Sequence, residues 1–187
     1  MNHLKELGPQ SESEILAARA RQLARVPKES EVEGDVLHLV RFNLGEECYA
    51  VEIALVREVQ TLEVETWSRV PCTPGFIVGA VNIRGRVYSI MDVGSFLGLP
   101  DRPISETACV LLVRSGSQGS DGEMELSILV DAMPTVVSIS IDAIQPPQTI
   151  ISPRAQEYVR GVTDEMLVIL DLERLLSDSG IIVYDEV

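Results

Sequence analysis

The chain lacks a long apolar run, is poor in aromatic residues, has two histidines, and has no lysine beyond its first 34 residues. No stretch approaches the ~20 apolar residues of a membrane-spanning helix. The opening MNHLKELGPQ also lacks the apolar segment of a secretory signal, so a cytoplasmic protein without membrane insertion is expected. Aromatic residues make up only 4% of the 187 positions while 45% are hydrophobic, so the core must be built from Val, Ile and Leu, which favours strands. Catalysis needs converging titratable groups, and a Ser-His-Asp or Cys-His set would have to use His38, since His3 lies in the leader. No GxSxG, HExxH, EF-hand or Walker pattern is present, and the loop SGSQGSDG has glycines but no GK[ST]. An enzyme is therefore not expected, with no catalytic residue, no metal ligand and no cofactor. Cys48, Cys72 and Cys109 are odd in number and far apart, which argues against disulfides or zinc and for buried free thiols. A net charge of −14 excludes nucleic acid or an anionic membrane as partner, because either requires a basic face.

What is present begins with arginine. From Asp35 onward the chain holds ten arginines, each suited to planar pairing with a carboxylate. Residues 1–34 read as a leader of one amphipathic helix and a charged linker: Ser11 and Glu14 have capping-box form, Ile15, Leu16, Ala18, Leu23 and Val26 recur at near-helical spacing, Pro27 stops the run, and Lys28 to Gly34 form the linker. Residues 35–187 form the remaining domain. Within it, VLHLVRF and CYAVEI flank a turn at Leu44 to Glu47, and CVLLVR and MELSILV flank the polar loop.

The most ordered stretch runs from Val70 to Leu99. Ile77, Gly79, Val81 and Ile83 alternate with Val78, Ala80 and Asn82, and after an interruption at Arg84-Gly85 the apolar pattern resumes at Val87, Tyr88, Ile90 and Met91. That is a hairpin turning at Arg84 to Arg86. Pro71 and Pro74 bar a regular ladder upstream, and Asp92 is placed to cap a short helix. Glu58 is the best local partner for Arg84, and Gly85 is expected at φ > 0.

An internal repeat spans these pieces. Tyr49, Val51, Ile53, Val56 and Val59 are echoed 77 residues later by Leu126, Ile128, Val130, Met133 and Val136. Gly79 to Val81, leading to Ile90-Met91-Asp92-Val93, is echoed by Gly161-Val162, leading to Ile169-Leu170-Asp171-Leu172. Two similar halves of about five short strands, each curling into a small barrel with a cleft between them, is the simplest account. Exposed strand edges then suit protein partners.

The string Val70-Pro71, Pro74, Phe76-Ile77, Gly79 to Gly85, Val87 and Ile90-Met91-Asp92 resembles the signature of the CheW family, adaptors that join bacterial chemoreceptors to the histidine kinase CheA. The resemblance implies a mainly β fold of two five-stranded SH3-like barrels side by side. It implies a chemoreceptor tip bound in the cleft around positions matching Val56, Glu58 and the Asn82-Ile83-Arg84-Gly85 turn. Gly79 and Gly85 are read as backbone-geometry positions, and Gly79 is counted with Val56, Glu58, Asn82, Arg84 and Gly85 among the candidate partner-binding residues. It also implies that the kinase's own CheW-like domain docks barrel to barrel. Phe76, Ile77 and Val87 lie near those barrel ends, and each is read as core. Two alternatives stand beside this reading: a scaffold in a related motility or surface-sensing array, and a small-ligand binder using the cleft.

Overall fold

The computed structural model describes residues 35–181 except 64, 116–123 and 148–152. The amphipathic stretch before Asp35 and most of the polar loop lie outside the described residues. β1 (Val36–Leu44) and β2 (Glu47–Glu52) form an antiparallel hairpin whose turn places Gly45 at φ +65°. After a 3₁₀ turn come β3 (Val56–Thr61), the two-residue β4 (Trp67–Ser68), β5 (Ile77–Ile83), β6 (Arg86–Met91) and helix α1 (Val93–Leu97). β7 (Cys109–Arg114), β8 (Glu125–Val130) and β9 (Thr135–Ser140) follow. The last elements are α2 (Pro153–Gln156), β10 (Val159–Val162), β11 (Leu167–Leu170) and α3 (Leu172–Leu176).

These strands make two curled sheets, in the orders β10-β11-β2-β1-β9 and β3-β7-β8-β6-β5-β4. Neither sheet is one half of the chain, which corrects the expectation that each half curls on its own. The hairpin β1-β2 leaves its half to lie beside β11, and β7-β8 leaves its half to lie beside β6. Both of these junctions are parallel, and a tight hairpin cannot make a parallel pair, so the closing strand must come from far along the chain. A repeat in sequence reveals which segments are alike. It does not reveal which of them pair.

Three apolar clusters follow from this exchange. Leu39, Ala50, Leu167 and Ile169 fill the first sheet's curl, and Val81, Ile83, Ile90, Val110, Leu112 and Leu129 fill the second's. The largest cluster lies between the sheets, where Phe42, Tyr49, Val51 and Leu170 meet Met91, Leu111 and Ile128. The seam is therefore packed with side chains over this area.

A β-bulge between Ile77 and Gly79 breaks the alternation read across β5. Ile77 turns to the cluster between the sheets, and Val78 to the interior of the second sheet. A side chain at Gly79 would overlap the Ser68 carbonyl on the neighbouring strand β4. The three cysteines are free, but only Cys109 is buried; Cys48 is half-buried and Cys72 exposed. Cys72 sits at φ +62° in the turn set by Pro71 and Pro74, where no strand period turns it inward.

A polar clasp ties four connections together. Arg102 Nη1 donates to Asp92 Oδ1 at 2.9 Å and its Nε to Asp131 Oδ1 at 2.8 Å. Asp131 Oδ2 in turn accepts from the backbone N–H of Gly45 at 2.5 Å, and Asp92 caps α1 by accepting from Ser95 N–H at 3.2 Å. Burial alone would depress the guanidinium's pKa, but hydrogen bonds and charge from Asp131 and Asp92 outweigh it and hold it above its ordinary value.

Candidate functional site

The β5-β6 turn is built from two consecutive left-handed residues, Arg84 at φ +51° and Gly85 at φ +84°, the backbone that matches the twist of a two-residue hairpin. Asn82 Oδ1 accepts the Gly85 N–H at 2.8 Å and so holds the turn from within its own strand. This fixed turn aims Arg84 across the sheet. Its Nε lies 3.1 Å from Glu58 Oε1 and 2.9 Å from Oε2. Glu58 stands on β3, which opens the strand order of the second sheet, while β5 is next to last, so the ion pair spans the gap that the curl closes.

Exposure separates the two partners: Arg84 keeps 81% of its side-chain surface in solvent and Glu58 25%. A pair this open contributes less than about 1 kcal/mol to folding. What it does instead is hold a guanidinium, with donors to spare, at a fixed point on the surface. Val56 lies two residues before Glu58 and packs half-buried against the cluster between the sheets. Glu58, Asn82, Arg84 and Gly85 thus form one group with Val56 beside it. Gly79 does not join them, since its surroundings are the backbone of β4.

Val87 corrects one reading. It is 72% exposed, not core, and stands directly opposite Asn82 in the ladder. Tyr88 and Ile90 take the inward positions of β6, which puts Val87 and Ser89 on the outer face; that alternation was the available signal. Phe76 and Ile77 do pack against the cluster between the sheets. His38 lies on the exposed side of β1, with Nδ1 2.9 Å from Ser138 Oγ. Among the described residues no three His, Cys, Asp or Glu are grouped to hold a metal ion, and no helix is long and apolar enough to cross a membrane.

A family profile described as the CheW-like domain matches residues 38–180, more than half of the chain. The chain belongs to the CheW family. Among curated CheW relatives, the chemotaxis protein CheW of Treponema pallidum is 27% identical over 156 residues, which cover 78% of this chain and 85% of the relative. The chemotaxis protein CheW of Klebsiella aerogenes is 29% identical over 149 residues, with the same two coverages of 78% and 85%. The crystal structure of the scaffolding protein TtCheW from Thermoanaerobacter tengcongensis superposes with a TM-score of 0.62 at 28% identity, covering 78% of this chain and 96% of that one. CheW-family proteins are scaffolds rather than enzymes, and the mainly β architecture of two curled sheets is theirs.

Proposed function

We propose that this chain is a non-enzymatic adaptor that holds the cytoplasmic tip of a chemoreceptor and the CheW-like regulatory domain of a CheA-type histidine kinase at the same time. The two curled sheets are read as the pair of SH3-like barrels of such adaptors. The observation that carries the reading is Arg84, pinned on a rigid two-residue turn, ion-paired to Glu58 and 81% exposed. Val56, Asn82 and Gly85 form the support around it, while Gly79 acts through the shape of β5. An adaptor of this kind works by geometry: it raises the effective concentration of receptor at kinase, and receptor movement then biases the kinase between states.

Co-sedimentation of a receptor cytoplasmic fragment with the kinase, with and without the chain, tests this. The kinase should co-sediment only when the chain is present. Arg84→Glu and Glu58→Arg should each cut its recovery about tenfold, a loss of ~1.4 kcal/mol of binding. For Arg84→Glu the melting temperature should shift by no more than about 2 °C, because that side chain is 81% exposed. Recovery restored by the double reversal marks the two residues as a unit. Undiminished recovery with Arg84→Glu overturns the site, and absence of a ternary complex with the unaltered chain overturns the coupling.

A further inference from the structure

At one end of the first sheet two turns stand side by side, because β2 and β11 are parallel neighbours with Cys48 opposite Leu167. Beside these turns opens a cavity of about 610 Å³, within the ~300–1,000 Å³ typical of binding sites. Tyr49, Leu99, Val162 and Val168 give it an apolar lining. Its rim is acidic, with Glu46 and Glu47 from the β1-β2 turn and Asp164 and Glu165 from the β10-β11 turn. Among the described residues no Lys, Arg or His lines it.

The polar contacts at this rim leave its charge in place. Glu47 accepts from Tyr49 Oη at 2.6 Å and Asp164 from Gln145 Nε2 at 2.7 Å, and both donors are neutral. Burial first, and then the bond to Glu47, hold the Tyr49 phenol well above its ordinary pKa, so it stays a neutral donor. Four carboxylates therefore face one apolar hollow that, among the described residues, no cation lines. A positively charged ligand complements such a rim.

We propose that this cavity receives a peptide segment of a partner protein in which an apolar side chain is flanked by Lys or Arg. The apolar anchor takes the place of water over Tyr49, Val162 and Val168, and the flanking cations meet the carboxylates of the two turns. The rim's division between two separate turns favours a chain with cations on both sides of its anchor over a compact single cation. The site lies on the first sheet, apart from the Glu58–Arg84 pair on the second, so each can fail without the other.

The test is fluorescence anisotropy of the full chain with the labelled synthetic peptide KKLFRK at low salt. Two comparisons decide. The anchorless peptide KKGSRK should bind about tenfold more weakly to the unaltered chain. The double variant Glu46→Lys/Glu165→Lys should weaken KKLFRK about tenfold, while Glu63→Lys/Glu106→Lys, the same change of net charge at exposed positions that do not line the cavity, should weaken it less than about twofold. Equal binding of the two peptides, equal losses in the two double variants, or no binding of KKLFRK would each overturn the proposal. The peptide comparison uses the unaltered protein, so a rim variant that fails to fold leaves it decisive.

Discussion

Gly79 and Gly161 occupy the same joint in the two halves of the repeat. Each follows a β-bulge, between Ile77 and Gly79 in one half and between Val159 and Gly161 in the other. Each also lets a backbone carbonyl approach where a side chain would stand, Ser68 in the first case and Gln145 in the second. Val59 and Val136 likewise hold equivalent strand positions, yet Val59 packs against the cluster between the sheets and Val136 is 64% exposed. Joints inside each sheet are kept alike in both halves because the local backbone demands it. Faces at the edges are not, because what covers an edge is set by the rest of the chain.

The largest effect should come from the joint itself. Gly79→Ala and Gly161→Ala should each cost about 3 kcal/mol in denaturant unfolding, since a backbone carbonyl cannot give way as a side chain can. The two costs should be similar, because the Gln145 carbonyl stands a little farther off than that of Ser68 while the Ile144 contact is with Cγ2, a branch methyl that cannot move without its Cβ. A cost near zero at either position breaks the equivalence of the two joints.

The next effect falls on a feature of one half alone. Asp92 and Asp171 cap α1 and α3 in the same way, each accepting a backbone N–H three residues on, but only Asp92 is also clasped by Arg102. Arg102→Met should cost about 2–3 kcal/mol, because two carboxylates lose their partner in a half-buried place. Asp171→Ala should cost only the ~1 kcal/mol of a lost cap. Adding Asp131→Asn to Arg102→Met should recover part of the loss, and a double-mutant cycle measures how much.

The edges come third. Val59→Lys should cost about 2 kcal/mol by overfilling a half-buried site and drawing an ammonium toward apolar neighbours, whereas Val136→Lys should stay within ~0.5 kcal/mol. Equal costs would mean that Val136 is covered in solution and that the asymmetry between the edges is not real.

Residue by residue, the local features were legible and the long-range ones were not. Asp92 before an apolar run announces a capped helix, and Arg84-Gly85 between two alternating segments announces a hairpin, because turn and cap chemistry act within a few residues. The bulge at Ile77 was invisible, since the close approach beside it, the Ser68 carbonyl against Gly79, comes from another strand; it reversed the faces of Ile77 and Val78. Exchange of the leading hairpins between sheets was invisible for the same reason, as the parallel contacts of β2 with β11 and of β6 with β8 leave no mark in either half alone. The candidate site was legible in part: Glu58 and Arg84 are complementary charges, but Val87 looked apolar and therefore internal until its register opposite Asn82 was known.

The smallest effect is the one that separates register from chemistry. Ala50 faces Ile169 across one parallel junction, and Ser127 faces Ile90 across the other, so Ser127 and Ala50 are counterparts in the two sheets. Both are fully buried, and among the described residues Ser127 Oγ has no hydrogen-bond partner. A buried hydroxyl without a partner costs about 1–3 kcal/mol relative to its solvated state. Ser127→Ala should therefore raise stability by ~1 kcal/mol with no loss of volume beyond one oxygen, and Ala50→Ser should lower it by about the same. Denaturant midpoints at unchanged slope would read both shifts. If Ser127→Ala instead destabilises, that hydroxyl has a partner in solution, and the two junctions differ in their polar contacts as well as in the residues that form them.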